Sequence, residues 1–281
     1  MDSYSSYIIN RVFTRNTIQE ILNNGDCETV KSVFFYLNHM SNHGFKNRDI
    51  ISSIYKYLEK EYQNEYYYKN TLLNKLLLGV HSPNTTTALT ELNVGKSKAD
   101  FVLINGHPVV YEIKTAMDTF NRLDFQLNDY YKAFSKVVLV TSEDKKNEAG
   151  RKLKGTPTGL YILTNKGTIR REKEPQDDTS KISTKVMFNI LRKSEFQSIL
   201  TNYYGSLPQV SDFNYYQCCY ELFEKIPLDY LYTLFVKVLK KRNSLDLFNF
   251  NNIPYELKFL AYFSGLKNGD YKKLFAYLEA Y

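Results

Sequence analysis

The 281 residues are 43% hydrophobic and 24% charged, with 37 Lys and Arg against 30 Asp and Glu, a formal net charge of +7. That apolar share supports ordinary buried cores and excludes disorder as the main state, and the length suggests about two domains or one core with large additions. No apolar run is long enough for a membrane span, the opening MDSYSSYIINR lacks the apolar stretch of a secretory signal, and 25 Tyr with 18 Phe in a basic chain permit nucleic-acid binding without establishing it.

Residues 1–80 read as helical. Thr17-Ile18-Gln19-Glu20 is an N-terminal signal, Gly25 a stop, and Asp26 caps a segment whose apolar face holds Val30, Val33, Phe34 and Leu37. Ile50, Ile51, Ile54, Tyr55 and Leu58 recur at helical spacing, and a further apolar run extends from Leu72 to Val80. The period then changes. Residues 88–94, 99–104 and 108–114 predict three short strands, with Asn105-Gly106 as a hairpin turn between the last two. A helix from about Thr119 to Phe134 follows. Lys136–Thr141 suits a strand buried on both faces, and Leu160–Leu163 is another strand, followed by the turn Asn165-Lys166-Gly167. Residues 173–184 form a polar connector. Beyond it the pattern predicts helices at 185–203, 213–225, 228–241, 254–264 and 270–281. The expected organisation is a helical extension over 1–46, an α/β core over 47–172 and a helical domain over 185–281. Cys27 and the adjacent Cys218-Cys219 cannot make a disulfide framework and read as reduced, packed thiols of a cytoplasmic protein.

The chemistry concentrates in Asp100 and, twelve residues on, Glu112-Ile113-Lys114. Glu112 and Lys114 are two apart and so share one face of a strand. If the hairpin loop is only Asn105-Gly106, Asp100 lies opposite Tyr111 and its carboxylate points away from Glu112. With a three-residue loop, Ile104 faces Pro108 and Asp100 lies directly opposite Glu112. Two carboxylates at that separation repel unless a cation lies between them, and an oxygen-ligated Mg²⁺ (or Mn²⁺) is the natural occupant, with the Ile113 carbonyl as a further ligand. Such a site suits phosphodiester hydrolysis, with Lys114 positioning water or neutralising developing charge.

Asp100 with Glu112-Ile113-Lys114 resembles the PD-(D/E)xK nuclease superfamily, with Ala99-Asp100 in place of the usual Pro-Asp. Gln126-Leu127-Asn128-Asp129-Tyr130 resembles the QxxxY motif of its RecB-like and lambda-exonuclease-like branch, and on a helix Gln126 and Tyr130 are i and i+4. The stretch with Asp118-Thr119 and Arg122-Leu123 between these motifs is similar to a small, largely uncharacterised bacterial family within that superfamily, and the likeness covers about 47–241. The resemblance implies a restriction-endonuclease-like fold: a mixed β-sheet core flanked by helices, here with all-helical additions at both ends. It implies that Asp100 and Glu112 hold the metal and that Gln126 and Tyr130 contact nucleic acid or orient the active site. It also calls for an upstream glutamate, Glu91 before the Asp strand, or Glu59 or Glu61 on the preceding helix. His81 occupies a place where some members carry a histidine, and otherwise reads as a solvated loop group.

Between 143 and 195 there are 13 Lys and Arg against 8 Asp and Glu, so this segment holds most of the excess charge. Lys145, Lys146, Arg151, Lys152, Lys154, Arg170 and Arg171 either track a phosphate backbone or form a solvated surface. Arg122, one turn before Gln126, is the better candidate for a phosphate near the site. In the C-terminal helices, Tyr216, Tyr220, Phe223, Leu231, Leu234 and Phe235 fall at packing intervals and read as core. The expectation is a Mg²⁺-dependent nuclease acting on nucleic acid, DNA before RNA, with a protein partner available to the helical C-terminal domain and a role as an effector in bacterial defence or as a toxin. The alternative is a catalytically inactive adaptor that keeps the fold and only binds.

Overall fold

Residues 8–38, 44–79, 85–242 and 247–281 are described by the computed structural model; Val80 and His81 lie outside them. Helices α1 (Arg15–Asn24), α2 (Glu28–Asn38), α3 (Asn47–Glu61) and α4 (Glu65–Leu72) come first, the last running on into a π-helical segment, Leu73–Leu78. Strands β1 (Thr87–Val94), β2 (Ser97–Asn105) and β3 (His107–Lys114) are followed by α5 (Leu123–Tyr130), β4 (Lys136–Ser142), α6 (Lys146–Lys152), β5 (Gly159–Leu163) and β6 (Ile169–Lys173). The remainder is helical: α7 (Thr184–Ile190), α8 (Lys193–Tyr204), α9 (Asp212–Glu224), α10 (Leu228–Lys240), α11 (Leu247–Asn251), a 3₁₀ turn at Tyr255–Leu257, α12 (Lys258–Phe263) and α13 (Asn268–Glu279). Among the described residues no helix is long and apolar enough to cross a membrane.

The chain divides into two units. One comprises Met1–Pro83, Leu163–Thr168 and Leu245–Tyr281; the other comprises Asn84–Ile162 and Ile169–Ser244. In the first, α1 begins at Thr14, whose side chain accepts from the Thr17 N–H, and ends at Gly25, held at φ 70. The apolar stripes foreseen on α2 and α3 are buried, including Val30, Val33, Ile50, Ile54 and Leu58, except for Leu37, which is half-buried. Helix α13 packs on α1 and α3, and α12 packs on α4 and the π-helical segment. Asn70, fully buried, ties this unit together: its amide donates to Tyr55 Oη (2.9 Å) and the Tyr255 carbonyl (3.0 Å), and its Oδ1 accepts from the Phe259 N–H (3.0 Å). Cys27 is buried and free, and burial pushes its thiol up to about 11; Cys218 and Cys219 are also free.

The second unit is mixed α/β, a six-stranded sheet in the order β1-β2-β3-β4-β5-β6 flanked by helices. β1, β2 and β3 form an antiparallel meander, and β4 pairs parallel to β3 after the α5 crossover. Val137 to Thr141 of β4 are all buried, as a strand covered on both faces requires. Helix α5 covers β2, and α7 covers β1. Behind them Phe188 is surrounded by Phe196, Tyr216, Tyr220 and Phe223, and Leu231 and Phe235 join Val102, Val110 and Leu139 in the same core. The C-terminal stripes are therefore packing surfaces, although Tyr216 stays half exposed.

Three elements depart from the periodicity. The helix expected over 185–203 is two, because Glu195 turns back to accept from the Arg192 N–H (2.7 Å) and Arg242 clasps the same carboxylate at 2.6 Å. The helix expected over 119–134 is shorter, α5 alone, preceded by a turn in which Leu123 N–H donates to Phe120 O. Strand β6, Ile-Arg-Arg-Glu-Lys, carries no buried residue and so has no alternation to read.

Candidate functional site

The hairpin between β2 and β3 places Ile104 opposite Pro108 and Asn105 opposite His107, around Gly106 at φ 75. This is the register of the longer loop, and carried on it sets Asp100 opposite Glu112. In the neighbouring ladder Thr90 faces Phe101 and Leu92 faces Ala99, so Glu91 falls opposite Asp100. Three acidic residues thus form one row across β1, β2 and β3. Like charges directly opposite each other destabilise a sheet, so packing alone gives no reason for such a row. Glu91 is the one non-glycine residue at positive φ (53°) among the described residues, a conformation that costs an L-residue free energy. Its carboxylate comes within 4.8 Å of that of Asp100, and its Oε2 lies 3.4 Å from Lys98 Nζ.

Along the row, exposure falls from Glu91 through Asp100 to Glu112, which is 1% exposed. Asp100 Oδ2 accepts from the Ile113 N–H (2.8 Å), which fixes it against β3. Glu112 Oε1 accepts from Lys114 Nζ (2.8 Å) and Gln126 Nε2 (2.5 Å), and Oε2 is 2.5 Å from Tyr130 Oη. The expected common face of Glu112 and Lys114 is therefore present as a direct ion pair. Burial pushes the Glu112 carboxyl above its ordinary range, and Lys114, Tyr130 and Gln126 offset only part of that. Burial and the adjacent Glu112 likewise push the Tyr130 hydroxyl far up, keeping it a proton donor. That one proton has two acceptors in reach, Glu112 Oε2 and the Lys98 carbonyl at 2.9 Å.

Helix α5 reaches the site because its Gln126 and Tyr130 are one turn apart and both face β3. Of the two roles implied for this pair, the geometry is that of orientation. Tyr130 is fully buried and has no surface to offer a ligand. Asp129, which the motif reading passed over, anchors the same helix to the β1–β2 turn. Its Oδ2 accepts from the Lys96 N–H and Ser97 Oγ (both 2.9 Å), and Oδ1 from Lys132 Nζ (2.7 Å). Burial opposes the Asp129 charge, but these donors outweigh it and hold the carboxyl below the usual range. Gly95, at φ 62 in that turn, leaves room for it: a Cβ there would come 2.9 Å from the Asp129 carboxyl. The signal was the acid within Gln126–Tyr130, yet its partner is a turn more than thirty residues upstream. Asp118 braces the turn after Lys114, with Oδ2 accepting from the N–H and hydroxyl of Thr115 (both 2.8 Å).

Other expected residues fall elsewhere. Arg122 is exposed at the start of α5 and forms no ion pair among the described residues. Glu59 and Glu61 lie at the end of α3 in the first unit, where Glu59 accepts from Tyr67 Oη at 3.4 Å. Much of the basic segment is paired: Lys146 with Glu172, Lys152 with Asp124, Arg170 with Glu143 and Glu172, and Arg171 with Glu174. Lys145 donates to the Asp118 carbonyl at 2.6 Å.

The donor set suits a hard divalent cation. Glu91 and Asp100 bring carboxylate oxygens, the donors Mg²⁺ prefers, within 4.8 Å of each other, and Glu112 lies outside that group. Glu112 Oε1 already accepts two bonds and Oε2 one, which leaves an Oε2 lone pair. Gln126 Oε1, beside Glu112, is buried without a hydrogen-bond partner. Glu91 and Asp100 therefore fit such an ion, and Glu112 has only its Oε2 lone pair to offer beside them.

The family described as Bacteriophage P4 protein cII matches residues 58–257 of this chain. Among curated proteins, Protein cII of Enterobacteria phage P4 is 26% identical over 107 residues, which is 38% of this chain and 40% of that protein. No solved structure matches.

Proposed function

The chain belongs to the Bacteriophage P4 protein cII family, and we propose that it is a divalent-metal-dependent nuclease, hydrolysing phosphodiester bonds of nucleic acid, DNA in preference to RNA, on a restriction-endonuclease-like core. The observation that carries this reading is the cross-strand row Glu91–Asp100–Glu112, closed by Lys114 and supported from below by Gln126 and Tyr130. The βββαβ order, with β4 parallel to β3, supports the fold assignment.

Asp100, Glu112 and Glu91 would hold the metal, with the Ile113 carbonyl beside them. When bound, a divalent ion polarises the phosphoryl oxygen and lowers the pKa of coordinated water. Glu112 is kept in one orientation by Gln126 and Tyr130, so its free lone pair faces one direction only. Asp100 is locked by the Ile113 N–H. Lys114 is positioned by Glu112 and presents its remaining protons to the attacking water or to negative charge developing on the phosphorus oxygens. Arg122, exposed at the start of α5, would meet a phosphate of the substrate.

The test is labelled single- and double-stranded DNA and RNA incubated with the protein in Mg²⁺ or EDTA. Cleavage is expected in Mg²⁺ alone, with Glu112→Gln lowering the rate by about a hundredfold or more. Activity at full rate in Glu112→Gln or Lys114→Ala sinks the assignment. A second reading, an adaptor that binds without turnover, is favoured by the near-complete sealing of Glu112. It predicts binding that is indifferent to Mg²⁺ and no cleavage of any substrate.

A further inference from the structure

Apart from the carboxylate row, α6, β5 and the end of β6 enclose an open cleft of about 440 Å³. Its walls carry Lys146, Arg151, Lys154 and Lys173 against one carboxylate, Glu172. Glu172 is already shared between Lys146 (2.9 Å) and Arg170 (2.5 Å). Lys173 is fixed in place, donating to the carbonyls of Leu153 (3.1 Å) and Thr156 (2.5 Å). Arg151 and Lys154 are exposed, and neither has an ion pair among the described residues.

Gly150 also lines this cleft, in the middle of α6. Glycine is among the poorest residues for a helix interior. A Cβ built on Gly150 would meet nothing within 4 Å, and its φ is not in the left-handed region. Neither packing nor backbone conformation within the chain calls for glycine there. What the missing side chain provides is close approach to the α6 backbone. The helix that walls the cleft is tied to elements that flank the site: Lys152 pairs with Asp124 at the start of α5 (2.5 Å), and Lys145, just before α6, donates to the Asp118 carbonyl in the turn that follows Lys114.

We propose that this cleft seats the sugar–phosphate backbone of the bound nucleic acid, with Arg151 and Lys154 meeting phosphates across the bare helix backbone at Gly150. This rests on the nucleic-acid reading above and extends it from the reacting phosphate to the strand leading away from it. Its walls offer cations rather than aromatic rings, so the contact is with backbone charge and is indifferent to base sequence.

The experiment measures binding of a fluorescent duplex and a fluorescent single strand in EDTA across a salt series, where no cleavage occurs. Arg151→Gln/Lys154→Gln is expected to weaken duplex binding about tenfold or more and to flatten the log–log salt slope by about 1.8, two phosphate contacts at about 0.9 each. Gly150→Leu is expected to weaken binding while leaving the thermal melt unchanged or higher. Wild-type affinity and slope in the double variant overturn the proposal, and so does a double variant that loses only a fluorescent nucleoside triphosphate and keeps the oligonucleotides. Wild-type protein that cleaves DNA while the double variant binds normally removes the cleft and leaves the nuclease reading standing. No binding of any oligonucleotide by wild-type protein removes both.

Discussion

Replacing Lys114 with methionine isolates the electrostatics of the site. Glu112 is 1% exposed and its Oε1 lies 2.8 Å from Lys114 Nζ. Without the ammonium group, a buried carboxylate keeps only the neutral donors Gln126 and Tyr130. Breaking a buried pair from one side costs about 3–5 kcal/mol, and the two retained hydrogen bonds set this case near the lower end, about 3 kcal/mol. Glu112→Gln is expected to cost far less. A glutamine amide can donate to Tyr130 Oη, which releases Tyr130's proton for the Lys98 carbonyl, while its oxygen accepts from Gln126 and Lys114. The desolvated charge is gone, so the expected change is within about 1 kcal/mol. In the Glu112→Gln background, Lys114→Met is expected to cost about 1 kcal/mol, which gives a coupling of about 2 kcal/mol. Equilibrium urea unfolding of the four proteins at pH 7.5 in EDTA measures it. Because burial raises the folded pKa of Glu112, the folded protein binds that proton more tightly than the unfolded chain. Stability therefore falls as pH rises from the unfolded value through the folded one. Lys114→Met is expected to regain stability towards acid, and the double variant is not. A Lys114→Met cost below about 1 kcal/mol, or additivity in the cycle, refutes the reasoning.

Asp129→Asn keeps one oxygen of two, so either Lys132 Nζ or the Lys96 N–H and Ser97 Oγ meet an amide NH2 in place of an acceptor, in a position 2% exposed, and about 2 kcal/mol of stability is expected to go in urea unfolding at pH 7. The lowered pKa of Asp129 makes its contribution complete above the unfolded value of 3.8 and lost as pH falls through the folded one, so Asp129→Asn is expected to unfold less steeply in an acid titration. Gly95→Ala meets both a φ of 62° and the Asp129 carboxyl at 2.9 Å, and is expected to lower the melting temperature, at a cost above about 1 kcal/mol. Asn70→Leu strands the Tyr255 carbonyl and the Phe259 N–H, and is expected to cost about 3 kcal/mol, read as lost hydrogen-exchange protection in α4 and α12.

Local pattern determined a good deal by itself. The three strands of the meander, the Asn105-Gly106 turn and the apolar stripes of α2 and α3 follow from periodicity and turn chemistry, which act between near neighbours. The shared face of Glu112 and Lys114 needed only the two-residue repeat of a strand, and the common face of Gln126 and Tyr130 only the turn of a helix. Tertiary structure decided what depends on partners far along the chain. The hairpin register, which swings Asp100 toward or away from Glu112, had two solutions in the sequence; pairing of the folded strands leaves one, in which Ile104 meets Pro108. The break between α7 and α8 depends on Arg242, 47 residues from Glu195. The grouping of Leu245–Tyr281 with the N-terminal helices rests on contacts such as Asn70 with Tyr255, 185 residues apart. The basic segment shows the same division. Its charge is plain in the residues, but which cations are spent on Glu172, Asp124 and Glu143 and which remain to meet a ligand depends on where α6 and β6 come to rest, since Coulomb pairing is set by distance in space and not along the chain.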